Sequence, residues 1–175
     1  MNNAMTIWLT GLSGAGKSTL ALEINKILLE KGVKVEILDG DVVRNEIGHM
    51  FGYSREERMK MSKVIRFISK TLNKNNISVI VAAIAPFQEM RDLNRQEIDN
   101  YVEVYVNCPV DECIRRDTKG LYKKALQGEV RHVVGIDDVY EIPQSYDIEL
   151  RTDQELIDES VRKLKEYFDR RLAEG

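Results

Sequence analysis

The sequence predicts an α/β protein, a three-layer sandwich in which helices cover both faces of a five-stranded parallel sheet. Three observations lead there. Short β-rich apolar runs alternate along the chain with longer stretches that carry apolar residues at helical spacing. The segments between successive strands supply the crossovers of a dozen or more residues that parallel pairing needs. The 175 residues are 43% hydrophobic and 31% charged with a net charge of −3, the make-up of one ordinary domain that builds its core without disulfides or structural metal.

The first strand spans residues 6–10, and a helix follows over 17–31 with Leu20, Ile24, Ile27 and Leu28 on one face. A second strand, 34–38, leads into a helix starting near Val42, and a long helix covers 55–75. The third strand, 78–83, lies in the longest mostly apolar run, 77–86, which is about half of the roughly 20 residues a membrane span requires. A helix over 87–98, a strand over 102–107, a short helix over 110–116, a strand over 147–151 and a last helix over 154–172 complete the series. Nothing divides the chain, so 1–175 is read as a single domain.

Composition narrows the partners. The mildly acidic balance offers no source for sequence-independent attraction to nucleic acid, and no segment is expected to enter a membrane. The N-terminus lacks a basic region and turns glycine-rich where a signal peptide carries its apolar stretch, so the expected location is the cytoplasm. Cys108 and Cys113 are read as reduced packing residues. His49 and His132 lie too far from them in sequence to complete a zinc set by spacing. Residues 115–132 stand apart, with six Lys and Arg against Asp117 and Glu129, a local net of +4.

The chemistry begins at Gly11-Leu12-Ser13-Gly14-Ala15-Gly16-Lys17-Ser18-Thr19, which fits G-x-x-x-x-G-K-[ST] between a predicted strand and an amphipathic helix. Such a loop turns its N–H groups inward around phosphate oxygens, and the helix behind it points its positive end at the anion. Lys17 then reaches the β- and γ-phosphates of ATP and Ser18 ligates Mg²⁺. The third strand ends Ala82-Ala83-Ile84-Ala85-Pro86 without an acid, which counts against a motor ATPase, and Asn73-Lys74-Asn75-Asn76 lacks the Asp that reads guanine. Acids follow the second strand instead, as Asp39-Gly40-Asp41 with Arg44 one turn on, which favours a small-molecule kinase. Asp41 is the expected catalytic carboxylate, taking a proton from an acceptor hydroxyl or helping to order the metal, and Asp39 the structural or metal-related one, although either is also able to cap the helix that starts there.

These residues resemble the adenylylsulfate kinase family, whose members phosphorylate the ribose 3′-hydroxyl of adenosine 5′-phosphosulfate with MgATP. The resemblance covers nearly the whole chain and rests on GLSGAGKST (11–19), DGDVVR (39–44), GYS-x₃-R (52–58), RDTKGLYKKALQGEV (116–130) and GIDDVYEIP (135–143). It implies a P-loop kinase fold with a lid over about 115–137, a homodimer, and ATP with Mg²⁺. It also implies roles: Arg44 and Arg58 toward the acceptor's anionic group, Tyr53 as a platform for the acceptor base, Ile84 lining that pocket, Lys119 on the acceptor or the transferring phosphoryl, Arg116 on ATP phosphates, and 151–153 near the adenine. Shikimate- and gluconate-kinase-like chemistry shares the P-loop but not the 116–143 signature.

The departures from the family pattern fall on the acceptor side. Met61-Ser62-Lys63-Val64 stands where the family reads N-I-R-R, and Val133 replaces the second aromatic around the acceptor base. Ala85 replaces a serine sometimes proposed as a phosphoryl carrier, which leaves direct in-line transfer. Three functions therefore remain open: an adenylylsulfate kinase, a sibling kinase for another nucleotide such as cytidine diphosphoramidate in capsule modification, and a non-catalytic nucleotide-binding module.

Overall fold

The computed structural model describes residues 4–47 and 50–173; His49 lies outside them. Five strands, β1 (Thr6–Thr10), β2 (Val35–Asp39), β3 (Ser78–Ala82), β4 (Tyr101–Asn107) and β5 (Ile148–Arg151), form one parallel sheet in the order β2-β3-β1-β4-β5. The inner strands are buried on both faces, which is why TIWLT and SVIVA read as continuous apolar runs rather than alternating ones. Residue parity along each strand then separates the two helical layers. Ile7, Leu9, Ile80, Val102, Val104 and Val106 face one core, with Leu20, Ile24, Leu164 and Phe168, while Trp8, Val79 and Val81 face the other, with Met61, Ile65 and Met90.

The first core is covered by α1 (Lys17–Glu30) and α7 (Ile157–Ala173), which pack on each other, and the second by α3 (Arg55–Lys74) and α4 (Gln88–Glu97), which do the same. Two further helices sit by the cleft at the C-terminal ends of the strands: α2 (Gly40–Ile47) and, in the basic segment, α6 (Leu121–Leu126); α5 (Val110–Arg116) leads into the latter. The expected strands lie within a residue of those observed. The last helix starts three residues later than its periodicity suggests. The N–H groups of Gln154 and Glu155 turn back to the Arg151 carbonyl and the Glu155 carboxylate accepts from the Arg151 N–H, so the chain makes a turn before the helix.

Side chains fix the starts of α3 and α6. Ser54 and Glu57 form a reciprocal capping box at α3, and the Asp117 carboxylate accepts from the N–H groups of Tyr122 (3.0 Å) and Lys123 (2.9 Å) to start α6. Cys108 and Cys113 are free and buried, and burial pushes the Cys113 thiol up, as expected of packing residues rather than reactive ones.

Candidate active site

A cleft of about 720 Å³ opens at the C-terminal ends of the strands. One end is the loop between β1 and α1. Gly11 has no room for a side chain, since a Cβ there would fall 2.4 Å from the Val106 carbonyl oxygen, and Gly16 holds φ +104°, a left-handed value suited to glycine. Of the loop residues, Ser13, Gly14, Gly16, Lys17, Ser18 and Thr19 line the cleft, while Gly11 and Ala15 are buried in its foundation. The loop is braced from outside its own stretch. Tyr122 donates its hydroxyl to the Ser13 carbonyl (2.8 Å) and Thr152 donates to the Ala15 carbonyl (2.7 Å).

Lys17 donates to the carbonyls of Gly11 (2.9 Å) and Leu12 (2.6 Å), with its ammonium inside the loop. Burial lowers its pKa to about 8, Lys119 adds to that, and Asp41 and Asp39 oppose it. Ser18 donates to Asp39 Oδ2 (2.6 Å), and Asp39 Oδ1 accepts from the Asp41 N–H (2.9 Å) at the start of α2. Burial alone would raise the Asp39 carboxyl, but these hydrogen bonds outweigh it and hold the group below its ordinary value. Asp39 is thus both the cap of α2 and the partner of Ser18. A hydroxyl and a carboxylate side by side fit Mg²⁺, a hard cation that takes one or two protein oxygens and completes its shell with phosphates and water. Among the described residues no cluster of three His, Cys, Asp or Glu side chains forms a full protein cage.

Asp41 and Lys119 meet across the cleft. Lys119, in the basic segment, forms an ion pair with the Asp41 carboxylate, both side chains more than half exposed, so the pair adds little stability. Lys119 itself lines the cleft, where the resemblance implies a contact with the acceptor or the transferring group. Its ammonium takes the nearest anion, which in this structure is the carboxylate.

The far end of the cleft holds the acceptor-side residues. Tyr53 is half exposed, with the Arg44 guanidinium 4.3 Å and the Arg58 guanidinium 5.4 Å from its ring centroid. Arg44 donates to the carbonyls of Phe51 (3.2 Å) and Gly52 (3.0 Å). Arg58 donates to the carbonyls of Tyr53 (2.8 Å) and His132 (2.6 Å) and lies 3.6 Å from Asp138. Both arginines line the cleft, as does Ile84, yet each spends part of its donor set on shaping the Tyr53 loop. Met61 and Val133, the two departures, also line this end, both nearly buried.

Arg116 is placed differently from expectation. It lies outside the cleft lining and donates to the carbonyls of Gly14 (3.3 Å) and Thr152 (2.6 Å) and to Glu112 (2.9 Å). Its acceptors are loop and strand-end carbonyls, so it ties β5 to the phosphate loop. Residue 152 of the expected adenine segment takes part in the same brace. Cleft residues that the sequence did not single out include Trp8, whose indole N–H donates to the Ala83 carbonyl (3.3 Å), Asn45, Ile65 and Met90, and His132 within the basic segment is held at φ +61°. For Trp8 the signal was available, because the residue two before the end of β1 points opposite to Ile7 and Leu9.

Comparison with known proteins agrees with this architecture. The family model described as adenylylsulphate kinase matches residues 3–151. The adenylyl-sulfate kinase of Picosynechococcus sp. is 45% identical over 163 residues, 93% of this chain and 92% of its own, and that of Rippkaea orientalis is 48% identical over 160 residues, 91% and 88%. Among solved structures, the Mycobacterium tuberculosis APS kinase in complex with AMPPNP and APS aligns at TM-score 0.88 with 36% identity, covering 95% of this chain and 98% of that one. A shikimate kinase from Aquifex aeolicus shares the fold alone, at 16% identity and TM-score 0.55. The match over residues 3–151 and identities of 45–48% over more than nine-tenths of the chain agree with the sheet, the loop and the Ser18–Asp39 pair, and the chain belongs to the adenylylsulfate kinase family.

Proposed function

We propose that the protein transfers the γ-phosphoryl group of ATP to the ribose 3′-hydroxyl of adenosine 5′-phosphosulfate, acting as a homodimer in the cytoplasm. The observation that carries this reading is the meeting of Asp41 and Lys119 between two differently built ends of one cleft, a phosphate loop and a ring flanked by two guanidinium groups. ATP occupies the loop end, with Lys17 leaving its carbonyl partners for the β- and γ-phosphates. Mg²⁺, held by Ser18 with Asp39 behind it, neutralises charge on the phosphate oxygens when bound. Arg44, Tyr53, Arg58 and Ile84 hold the acceptor nucleotide, and Asp41 orients its hydroxyl and takes the proton. Lys119 moves from Asp41 to the transferring group when the lid, about 115–137, closes. Phosphoryl transfer is catalysed mainly by such positioning and by prepared positive charge, so no covalent carrier at Ala85 is needed.

A second reading has its own support. With Met61 and Val133 lining the acceptor end, that end lacks an amide and an aromatic face where the family pattern has them, which suits a smaller pyrimidine acceptor such as cytidine diphosphoramidate. Initial rates of ADP release from MgATP, measured side by side with adenylylsulfate and cytidine diphosphoramidate, decide between the two. Efficient turnover of adenylylsulfate is expected. Turnover of only the pyrimidine compound would transfer the assignment to it, and no turnover of either would leave a nucleotide-binding module.

A further inference from the structure

The lid segment joins the rest of the fold at two ends, and the downstream one is fastened to the wall of the cleft. On the upstream side the chain passes through Asp117 and Gly120, both at positive φ (+24° and +64°), next to exposed residues 118 and 119. On the downstream side it arrives at Glu141, which is fastened to the loop after β3 by both its backbone and its side chain. The Glu141 N–H donates to the Pro86 carbonyl (2.8 Å), and its Oε2 accepts from the Gln88 N–H (2.6 Å). Its carbonyl accepts from Arg91 (2.7 Å), and its Oε1 faces Arg55 at 3.4 Å. Three residues on, the Gln144 N–H donates to the Gln88 side chain. Phe87, the residue preceding α4, provides no side-chain cap, so the first turn of that helix is capped by a carboxylate more than fifty residues away in sequence. The Gln88 N–H and Arg55 hold the Glu141 carboxyl below its ordinary value although burial opposes them.

Arg91 completes the fastening. Only 1% exposed, it donates to the Ala85 carbonyl (2.7 Å) as well as to Glu141. Ala85 sits at φ +45°, a strained value for a residue with a Cβ, in the wall of the cleft between Ile84 and Pro86. One buried guanidinium therefore holds the strained wall and the foot of the lid together.

We infer that Glu141 and Arg91 are positioning residues for the acceptor: they clamp the downstream foot of the lid to the wall at 84–87, so that this wall and the lid segment bearing Val133 present one fixed surface. Neither touches a reacting atom, and neither belongs to the ATP half. This inference rests on the reading that 84–87 walls the acceptor subsite.

The test uses Glu141, whose partly exposed side chain can be changed with less risk to folding than Arg91. Glu141→Ala is expected to raise KM for adenylylsulfate about tenfold and leave KM for ATP within twofold, while Glu141→Gln, which keeps an oxygen for the Gln88 N–H, restores most of the acceptor affinity. Trp8, the single tryptophan and a hydrogen-bond partner of the Ala83 carbonyl, supplies a second readout: its emission change on adding adenylylsulfate should weaken in Glu141→Ala. Ile84→Ala is run alongside. If Ile84→Ala raises the acceptor KM but Glu141→Ala leaves it unchanged, or raises both KM values equally, the clamp is overturned. If neither variant alters the acceptor KM, the wall is not the acceptor's, and the underlying reading fails together with the clamp.

Discussion

The phosphate-loop end of the cleft is built from one contiguous stretch, Gly11 to Thr19, whereas the residues that the proposed function assigns to the acceptor come from several places: Arg44 from α2, Tyr53 and Arg58 from the entry to α3, Ile84 from the loop after β3 and Lys119 from the basic segment. In the first half the backbone forms the surface, and side chains such as Tyr122, Thr152 and Arg116 hold its carbonyls. In the second half long side chains are the surface, and they are held by carbonyls and by one another. The difference teaches where change is tolerated. In the loop, Gly11 has no room for a Cβ and Gly16 sits at positive φ, so substitution there meets the backbone itself, whereas Met61 and Val133 are side chains whose replacement meets other side chains. The departures from the family pattern fall on the half that can absorb them.

The largest expected effect tests whether the phosphate half works as a unit. Lys17→Ala should lower kcat about 10²- to 10³-fold, as when a single prepared charge is lost from a transition state, and should weaken ATP binding as well. Asp41→Asn should also lower kcat steeply while leaving KM for ATP nearly unchanged, because Asp41 stands at the junction and not in the loop. Steady-state kinetics with each substrate varied in turn separate the two. An Asp41→Asn enzyme with wild-type turnover would remove that residue from the chemistry.

A pH profile sharpens the same contrast. Lys17 is depressed to about 8 by burial, with Lys119 adding to the effect, so in the free protein it loses its proton as pH rises through that value. A neutral amine does not attract phosphate, and kcat/KM for ATP should therefore fall on the alkaline side with an apparent pKa near 8. At saturating ATP the bound phosphates keep the ammonium charged. The acceptor profile should then lack this limb, and its presence there would show that the halves titrate together.

On the acceptor side, Val133→Phe restores a ring where the family pattern has one. A stacked base is worth about 1–3 kcal/mol, so kcat/KM for adenylylsulfate relative to a cytidine compound should rise about tenfold if base stacking sets the preference. An unchanged ratio would mean that Tyr53, with its flanking arginines, decides the acceptor alone.

Legibility in the sequence follows the same division. The strands and the loop were readable because their signals are local: buried parallel strands leave continuous apolar runs, and a phosphate loop leaves fixed glycines. Asp39 and Asp41 were readable in position, and the structure adds that Asp39 caps α2 and pairs with Ser18. Arg116 was not readable in detail, because its partners, Gly14 and Thr152, are brought to it only by the fold. The fastening of Glu141 to Gln88 and Arg91 was invisible for the same reason, since no spacing rule links Glu141 to the first turn of a helix about fifty positions earlier. Trp8 was readable from strand parity, but only once the end of β1 is known to border the cleft.

The smallest effect probes how much of the acceptor half depends on the helix that carries it. Ser54 caps α3, accepting from the Glu57 N–H (3.3 Å) while Glu57 reaches back to the Ser54 N–H (3.3 Å), and the helix then carries Arg58, Met61, Ser62 and Ile65 into the cleft. Ser54→Ala should cost about 1 kcal/mol, the usual value of a lost cap. For a protein of this length that corresponds to a fall of about 2–4 °C in Tm. The frayed first turn holds Arg58, so KM for the acceptor should rise about twofold with KM for ATP unchanged. If both rise together, strain at the start of α3 reaches the phosphate loop. The two halves would then be one mechanical unit, and the tolerance of the acceptor side to substitution would need a different explanation.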